Sequence, residues 1–194
     1  MRSKGPVHVF KSLPNLISLF RLACVPLVVG LILSEAWLEA FVLFVLAGVS
    51  DALDGFLAKR FDLASRLGSY LDPMADKALL VCTFITLAVM GAVWTPLVIL
   101  IVSRDVMIVG GILLAWLLHH PVHIDPLPIS KINTAAQLLL AGTILAMRAY
   151  DFSLGIGLKG LMVGVGLLTL ASSAAYLRQW LQHMDVLGAA GPHK

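Results

Sequence analysis

Residues 78–103 read A-L-L-V-C-T-F-I-T-L-A-V-M-G-A-V-W-T-P-L-V-I-L-I-V-S, a run of 26 without one charged side chain. A helix crossing the hydrocarbon core of a bilayer needs about 20 residues. The run is too long for one span and too short for two. Gly91 and Pro96 supply a turn inside it, so it holds the end of one membrane helix and the start of the next. The composition of all 194 residues agrees: 59% are hydrophobic and 13% charged, against roughly 45–50% and 25% in soluble domains. Too little polar surface remains for a soluble fold. Disordered, collagen-like and disulfide-stapled classes are excluded as well, since the two cysteines, Cys24 and Cys82, both sit in apolar runs.

Outward from this run, the apolar pattern repeats. Leu13–Leu33 reads as a first span, Ala36 to about Ala58 as a second, and Gly68 to about Val89 as a third. A fourth runs from about Trp94 to Leu118, a fifth over Ile132–Met147 and a sixth over Gly155–Leu177. Between them, Lys59–Leu67 is expected as a basic loop and His119–Ser130, with three prolines, as another. The expected fold is an all-α integral membrane protein of six transmembrane helices. A short basic juxtamembrane segment (1–12) precedes a six-helix domain (13–178), and a polar, frayed tail (179–194) follows it. A secretory signal built on Leu22–Leu33 is the competing reading of the N-terminus, and Pro14 and Arg21 suit it poorly.

Six spans put both termini on one side. Nine basic residues then share that side: Arg2, Lys4, Lys11, Lys59, Arg60, Arg66, Lys131, Arg178 and Lys194. The opposite loops hold Arg148 and Lys159. By the positive-inside rule the richer side is cytoplasmic, or the matrix side in an organelle. A net charge of +3 without Lys/Arg clusters interleaved with aromatics gives no reason to expect a nucleic-acid partner.

Five of the 11 acidic residues fall within residues 51–76. Asp51 and Asp54 are spaced i, i+3, and Asp72 and Asp76 are spaced i, i+4, so each pair shares one helix face. A short loop makes the two helices antiparallel neighbours, with four carboxylates near their cytoplasmic ends. Carboxylates at membrane depth are expensive and mark function by default. Lys59 and Lys77 cannot neutralise four of them, whereas two divalent cations can. All-oxygen ligation favours Mg²⁺, Mn²⁺ or Ca²⁺ over zinc, and two such ions suit phosphoryl chemistry. His119, His120 and His123 lack a carboxylate or cysteine partner and read as solvated. Gly55 and Ala58 lie on the Asp51/Asp54 face. Alone they would suggest close helix packing; among four aspartates they suggest the floor of a ligand site.

The stretch D-A-L-D-G-F-L-A-K-R-F-D-L-A-S-R-L-G-S-Y-L-D-P-M-A-D (51–76) resembles the signature of the CDP-alcohol phosphotransferase family, D-x₂-D-G-x₂-A-R-x₈-G-x₃-D-x₃-D. Seven of the eight fixed positions match, the exception being Lys59 for the family's Arg, with Arg60 next to it. The resemblance implies a dimeric, six-helix membrane enzyme. It would use two divalent cations, Mg²⁺ or Mn²⁺, to transfer a phosphatidyl or similar group from a CDP-linked donor to an alcohol, releasing CMP. It implies that Asp51, Asp54, Asp72 and Asp76 ligate metal and that Asp76 is also the general base. Asn15, Gly55, Ala58, Gly68 and the Lys59/Arg60 pair would border the CDP moiety. Lys keeps the charge of Arg but not its bidentate fork. Pro14-Asn15 and Arg21 resemble the family's first helix; as ordinary structure, Pro14 suits a first helical position and Arg21 could snorkel.

Ser103-Arg104-Asp105-Val106-Met107 and Ile129-Ser130-Lys131-Ile132-Asn133-Thr134-Ala135-Ala136-Gln137 resemble the cardiolipin synthases of this family more than its glycerophosphate-using members. The implied donor is CDP-diacylglycerol. The implied acceptor is phosphatidylglycerol, with glycerol-3-phosphate as the alternative. Arg104 and Lys131 are the cations assigned to the acceptor's phosphate, because intramembrane cations usually have a functional partner and both acceptors are anionic. A bacterial plasma membrane is expected in preference to the mitochondrial inner membrane. A reading of another class makes the aspartates the relay of an ion-coupled transporter. Their clustering at one end of one hairpin, away from the midplane, argues against it. Gly160-x₃-Gly164 and Gly110-Gly111 offer close-packing surfaces within or between chains.

Overall fold

The computed structural model describes residues 7–61, 68–117 and 128–189, with side chains over residues 19–50, 75–110 and 128–179. The described residues form six helices and no strand: α1 (Val7–Leu33), α2 (Trp37–Phe61), α3 (Gly68–Val89), α4 (Thr95–Leu117), α5 (Pro128–Ala149) and α6 (Ile156–Ala189). Two of them are long and apolar enough to cross a membrane, over Pro128–Ala149 and Ile156–Gln179; Leu19–Leu33 and Trp37–Ser50 are shorter apolar stretches.

Several helices outrun their expected bounds, each for a local reason. The first begins at Val7, so Pro14 lies inside α1 and not at its first position. Without an N–H, Pro14 cannot make the i→i−4 hydrogen bond there. Lys59 and Arg60 are helical, in the last turn of α2, and not in a loop. Helix α5 opens at Pro128, because a proline is well suited to a helix's first residue. Ser130 and Lys131 thereby become helical. Residues 179–189 of the expected frayed tail are helical, since α6 continues to Ala189. Leu177, Trp180, Leu181, Met184 and Leu187 recur there at helical spacing, with no glycine or proline before Gly188. Arg148 and Lys159 lie in the last turn of α5 and the first turns of α6. The His119–His123 segment and the centre of the basic loop, residues 62–67, lie outside the described residues.

Contacts divide the chain into two compact units, Met1–Val93 with Ala141–Ser153, and Trp94–Leu140 with Leu154–Lys194. In the first, α1 packs against both α2 and α3. Cys24, Val28 and Ile32 of α1, Ala40, Phe44 and Ala47 of α2, and Leu79, Leu80, Phe84 and Leu87 of α3 are buried. Their i, i+3/i+4 recurrence is the stripe that places one face of each helix inward. At the other end of α2, the Arg148 guanidinium lies over the Trp37 ring, 5.4 Å from its centroid, and Phe41 meets Tyr150 edge-to-face at 6.0 Å. In the second unit, α4 packs on α6, closely enough that a Cβ on Gly166 would lie 3.5 Å from Leu97. Gly110, Gly160 and Gly164 have nothing within 4 Å of a Cβ position. Among the described residues they are therefore not close-packing surfaces.

The surface is more apolar than that of a soluble fold, and charged side chains are among the buried ones. Large apolar side chains are exposed on all six helices, among them Leu27, Leu46, Val89, Ile99, Leu139 and Leu167. Arg21, Arg104, Asp105, Asn133, Gln137, Thr169 and Ser172 are buried. Water would reject this arrangement, and hydrocarbon favours it.

Helix ends must also satisfy their last carbonyls. Ala36 N–H donates to Leu31 O at 2.9 Å and Glu35 N–H to Ile32 O at 3.1 Å, while Ala92 and Gly91 repeat the pattern onto Leu87 O and Ala88 O at 2.8 and 3.0 Å. Both are Schellman closures, which need a left-handed residue: Glu35 at φ 59° and Gly91 at φ 67°. A Cβ on Gly91 meets no atom, so only backbone strain opposes one. Gly91→Ala is expected to lower stability by about 1 kcal/mol and Glu35→Gly to raise it by a similar amount. Unfolding in detergent micelles measures both, and equal signs would contradict this account.

Candidate active site

The acidic signature occupies two helix termini. Asp51, Asp54, Gly55, Ala58, Lys59 and Arg60 fall in the final turns of α2, and Gly68, Asp72 and Asp76 in the opening turns of α3. Helical backbone over both stretches puts each aspartate pair on one face. The side chains of residues 51–74, and of Asn15 in α1, lie outside the described ones, as does the facing of the two pairs across the α2–α3 connection. Asp76 is described: it is half-buried and engaged by its surroundings, as is Lys77. Among the described residues no set of three or more His, Cys, Asp or Glu side chains converges. The donor chemistry suits a hard divalent cation, because the half-buried Asp76 and its three signature partners offer oxygen alone. In the same unit, Arg21 is fully buried. It does not snorkel to a surface.

The second unit carries a polar seam. Arg104 of α4 is 2% exposed and Asp105 7%. Arg104 Nη1 donates to Asp105 Oδ1 at 2.5 Å. Nη2 donates to the hydroxyls of Ser130 on α5 and Ser172 on α6, the latter at 3.0 Å. The Tyr176 ring lies 5.6 Å from the guanidinium carbon, within cation–π range. One helical turn away, Thr169 Oγ1 lies 2.9 Å from Asn133 Oδ1 and 2.8 Å from Val165 O. Its single proton serves one of the two at a time. Gln137 Nε2 approaches the same hydroxyl at 3.5 Å. Ser130, Asn133 and Gln137 on α5, and Thr169, Ser172 and Tyr176 on α6, each follow i, i+3/i+4, i+7 spacing. The two polar stripes meet with opposite chain directions.

Of the two cations assigned to an acceptor phosphate, Arg104 is buried at the centre of this seam. Lys131 is exposed, although its neighbour Ser130 reaches Arg104. The described contacts do not bring the two cations together. Sequence reasoning singled out Arg104 but assigned no role to Ser130, Asn133, Gln137, Thr169, Ser172 or Tyr176. The signal was present: polar residues at helical spacing inside otherwise apolar spans are buried against each other more often than they face lipid.

An unpaired charge here would be costly. Removing one partner of a buried charged hydrogen bond typically costs about 1.5–3 kcal/mol. Ser172→Ala should destabilise the protein by about 1.5 kcal/mol. Ser173 bonds only the Thr169 carbonyl of its own helix, at 2.9 Å; Ser173→Ala should cost under about 0.5 kcal/mol. Equal losses in a micelle unfolding assay would remove Ser172 from the Arg104 network.

Comparison with known proteins draws both units together. The sequence model of the CDP-alcohol phosphatidyltransferase family matches residues 11–177. The chain is 39% identical over 153 residues to a chloroplastic CDP-diacylglycerol–glycerol-3-phosphate 3-phosphatidyltransferase of Oryza sativa, covering 70% of this chain and 46% of that protein. It is 34% identical over 192 residues to the cardiolipin synthase (CMP-forming) of Rattus norvegicus, covering 91% and 64%. A CDP-diacylglycerol–glycerol-3-phosphate 3-phosphatidyltransferase of Sodalis glossinidius is 32% identical over 173 residues, covering 86% and 93%. The chain thus spans less than two thirds of the rice and rat proteins.

Proposed function

The chain belongs to the CDP-alcohol phosphatidyltransferase family, and from that premise we propose that it transfers the phosphatidyl group of CDP-diacylglycerol to phosphatidylglycerol, releasing CMP and forming cardiolipin. The observation that carries this reading is the acidic signature, matched at seven of its eight positions, which falls in the final turns of α2 and the opening turns of α3. The buried Arg104–Asp105 couple and the likeness to the rat cardiolipin synthase favour the lipid acceptor. Glycerol-3-phosphate is the second reading, favoured by the names of the rice and Sodalis relatives. An ion-coupled transporter is not supported, since the family match covers residues 11–177.

Asp51, Asp54, Asp72 and Asp76 would hold two divalent cations, Mg²⁺ or Mn²⁺. Such ions, when bound, supply charge stabilisation on the oxygens of the transferring phosphoryl group. The remaining steps belong to the protein's own residues. Asn15, Gly55, Ala58, Gly68 and the Lys59/Arg60 pair would seat the CDP moiety. Arg104 and Lys131 would hold the acceptor by its phosphate. Asp76 would take the proton of the acceptor hydroxyl. That oxygen forms a bond to the diacylglycerol-bearing phosphorus while the bond from phosphorus to CMP breaks. The six helices would span the membrane with the signature on the cytoplasmic side, in a bacterial plasma membrane. Exposed apolar side chains on all six helices support the spanning, and the charge asymmetry of the loops supports the orientation. A homodimer is consistent with the open Gly160/Gly164 face of α6.

Purified protein in vesicles with CDP-diacylglycerol and Mg²⁺ should release CMP only when an acceptor is added, and Asp76→Asn should lower the rate at least ~10²-fold. Full activity of that variant would overturn the base assignment. Product-lipid identification with each acceptor offered separately decides between the two readings.

A further inference from the structure

Most of the Arg104 guanidinium is already engaged within the protein. Asp105 holds Nη1, the hydroxyls of Ser130 and Ser172 hold Nη2, and the Tyr176 ring covers one side. The Nε–H is buried and has no hydrogen-bond partner among the described residues. Of the five guanidinium N–H groups, Nε–H and the second proton of Nη1 therefore remain, on a cation whose charge is offset by the carboxylate next to it. The side chains of the pair are 1% and 8% exposed, so water screens neither charge well.

A site of this kind sorts anions by charge more than by shape. A phosphodiester carries one negative charge. A phosphomonoester carries about 1.5 to 2 at pH 7. Arg104 attracts and the Asp105 carboxylate repels each anion in proportion to its charge, so the couple cancels most of the dianion's electrostatic advantage. The cost of taking an anion out of water rises more steeply than its charge, so the monoester suffers more. From this geometry we propose that Asp105 is a specificity-determining residue, making the acceptor site prefer a phosphodiester monoanion to a phosphomonoester dianion. Ser130, Ser172 and Tyr176 are positioning residues that keep Nε directed at one point. The proposal rests on the reading of Arg104 as the acceptor's phosphate contact.

The test uses the full chain in vesicles with CDP-diacylglycerol and Mg²⁺. The acceptors are phosphatidylglycerol, a diester, and glycerol-3-phosphate, a monoester; kcat and KM are measured for each. Asp105→Asn keeps an oxygen for Nη1 and removes the charge. It should raise the glycerol-3-phosphate to phosphatidylglycerol ratio of kcat/KM at least ~10-fold, through KM. Asp105→Glu should hold the ratio within ~3-fold of the unaltered protein. An unchanged ratio in Asp105→Asn, with both acceptors declining together, would overturn the proposal and leave the function intact. Arg104→Gln separates the premise. If it leaves KM for phosphatidylglycerol unchanged, Arg104 is no phosphate contact and the underlying reading fails. A measurement on the unaltered protein stands whether or not the variants fold. The methyl ester of glycerol-3-phosphate, a monoanion, should compete with phosphatidylglycerol at ~10-fold lower concentration than glycerol-3-phosphate itself. Equal competition would overturn the proposal.

Discussion

A guanidinium removed from water must be matched where it sits. Arg104 is 2% exposed, and three helices are arranged around that requirement. Asp105 supplies the opposing charge from the same helix, Ser130 and Ser172 supply acceptors from α5 and α6, and Tyr176 supplies a π face. Each contact fixes a helix in rotation and in axial register, because a shift of one residue turns a helix by about 100° and carries the acceptor away. Apolar packing in a bilayer gives little such discrimination, since lipid tails compete on equal terms with leucine. Polar groups with few possible partners provide it.

The two units solve the same problem differently. Around α1, the described interior is mainly apolar, with Val28, Ile32, Phe84 and Leu87 at its centre and Arg21, Thr83 and Thr86 as its buried polar residues. Around α4 and α6, apolar packing near Leu97, Met162 and Val165 gives way along the helices to Arg104, Thr169 and Ser172. In the second unit the apolar stretch holds the helices together and the polar stretch fixes their register. Left-handed residues at Glu35, Gly91 and Asp151 follow the C-termini of α1, α3 and α5 and let those helices stop sharply without leaving carbonyls unsatisfied.

Much of this was legible in the sequence. Long uncharged runs punctuated by Gly91 and Pro96 located the helices, because in hydrocarbon only internally bonded backbone is affordable. The four aspartates stood out because charge is rare in this chain. The boundaries were harder to read. Pro14 read as a first helical residue and Pro128 as part of a loop, yet α1 carries Pro14 in its interior and α5 opens on Pro128. The seam was missed for a different reason. Ser and Thr carry no charge and barely interrupt a hydropathy pattern, so Thr169 and Ser172 read as neutral members of a span. Their partnership with Asn133 and Arg104 depends on which faces of α4, α5 and α6 meet, which periodicity within one helix does not specify.

On the proposed reading, donor and acceptor chemistry rest on different kinds of charge. The donor end gathers carboxylates, which need cations and thereby impose a requirement for metal. The acceptor end holds one guanidinium already answered by a carboxylate, and imposes a limit on how much negative charge it will accept. A family that shares the first arrangement can differ in the second, because the two are carried by different helices, the signature by α2 and α3 and the Arg104 network by α4, α5 and α6. That separation accounts for relatives named for two different acceptors matching one chain at comparable identity. On this reading the signature would carry the reaction, and the surroundings of one buried arginine would select what is offered to it.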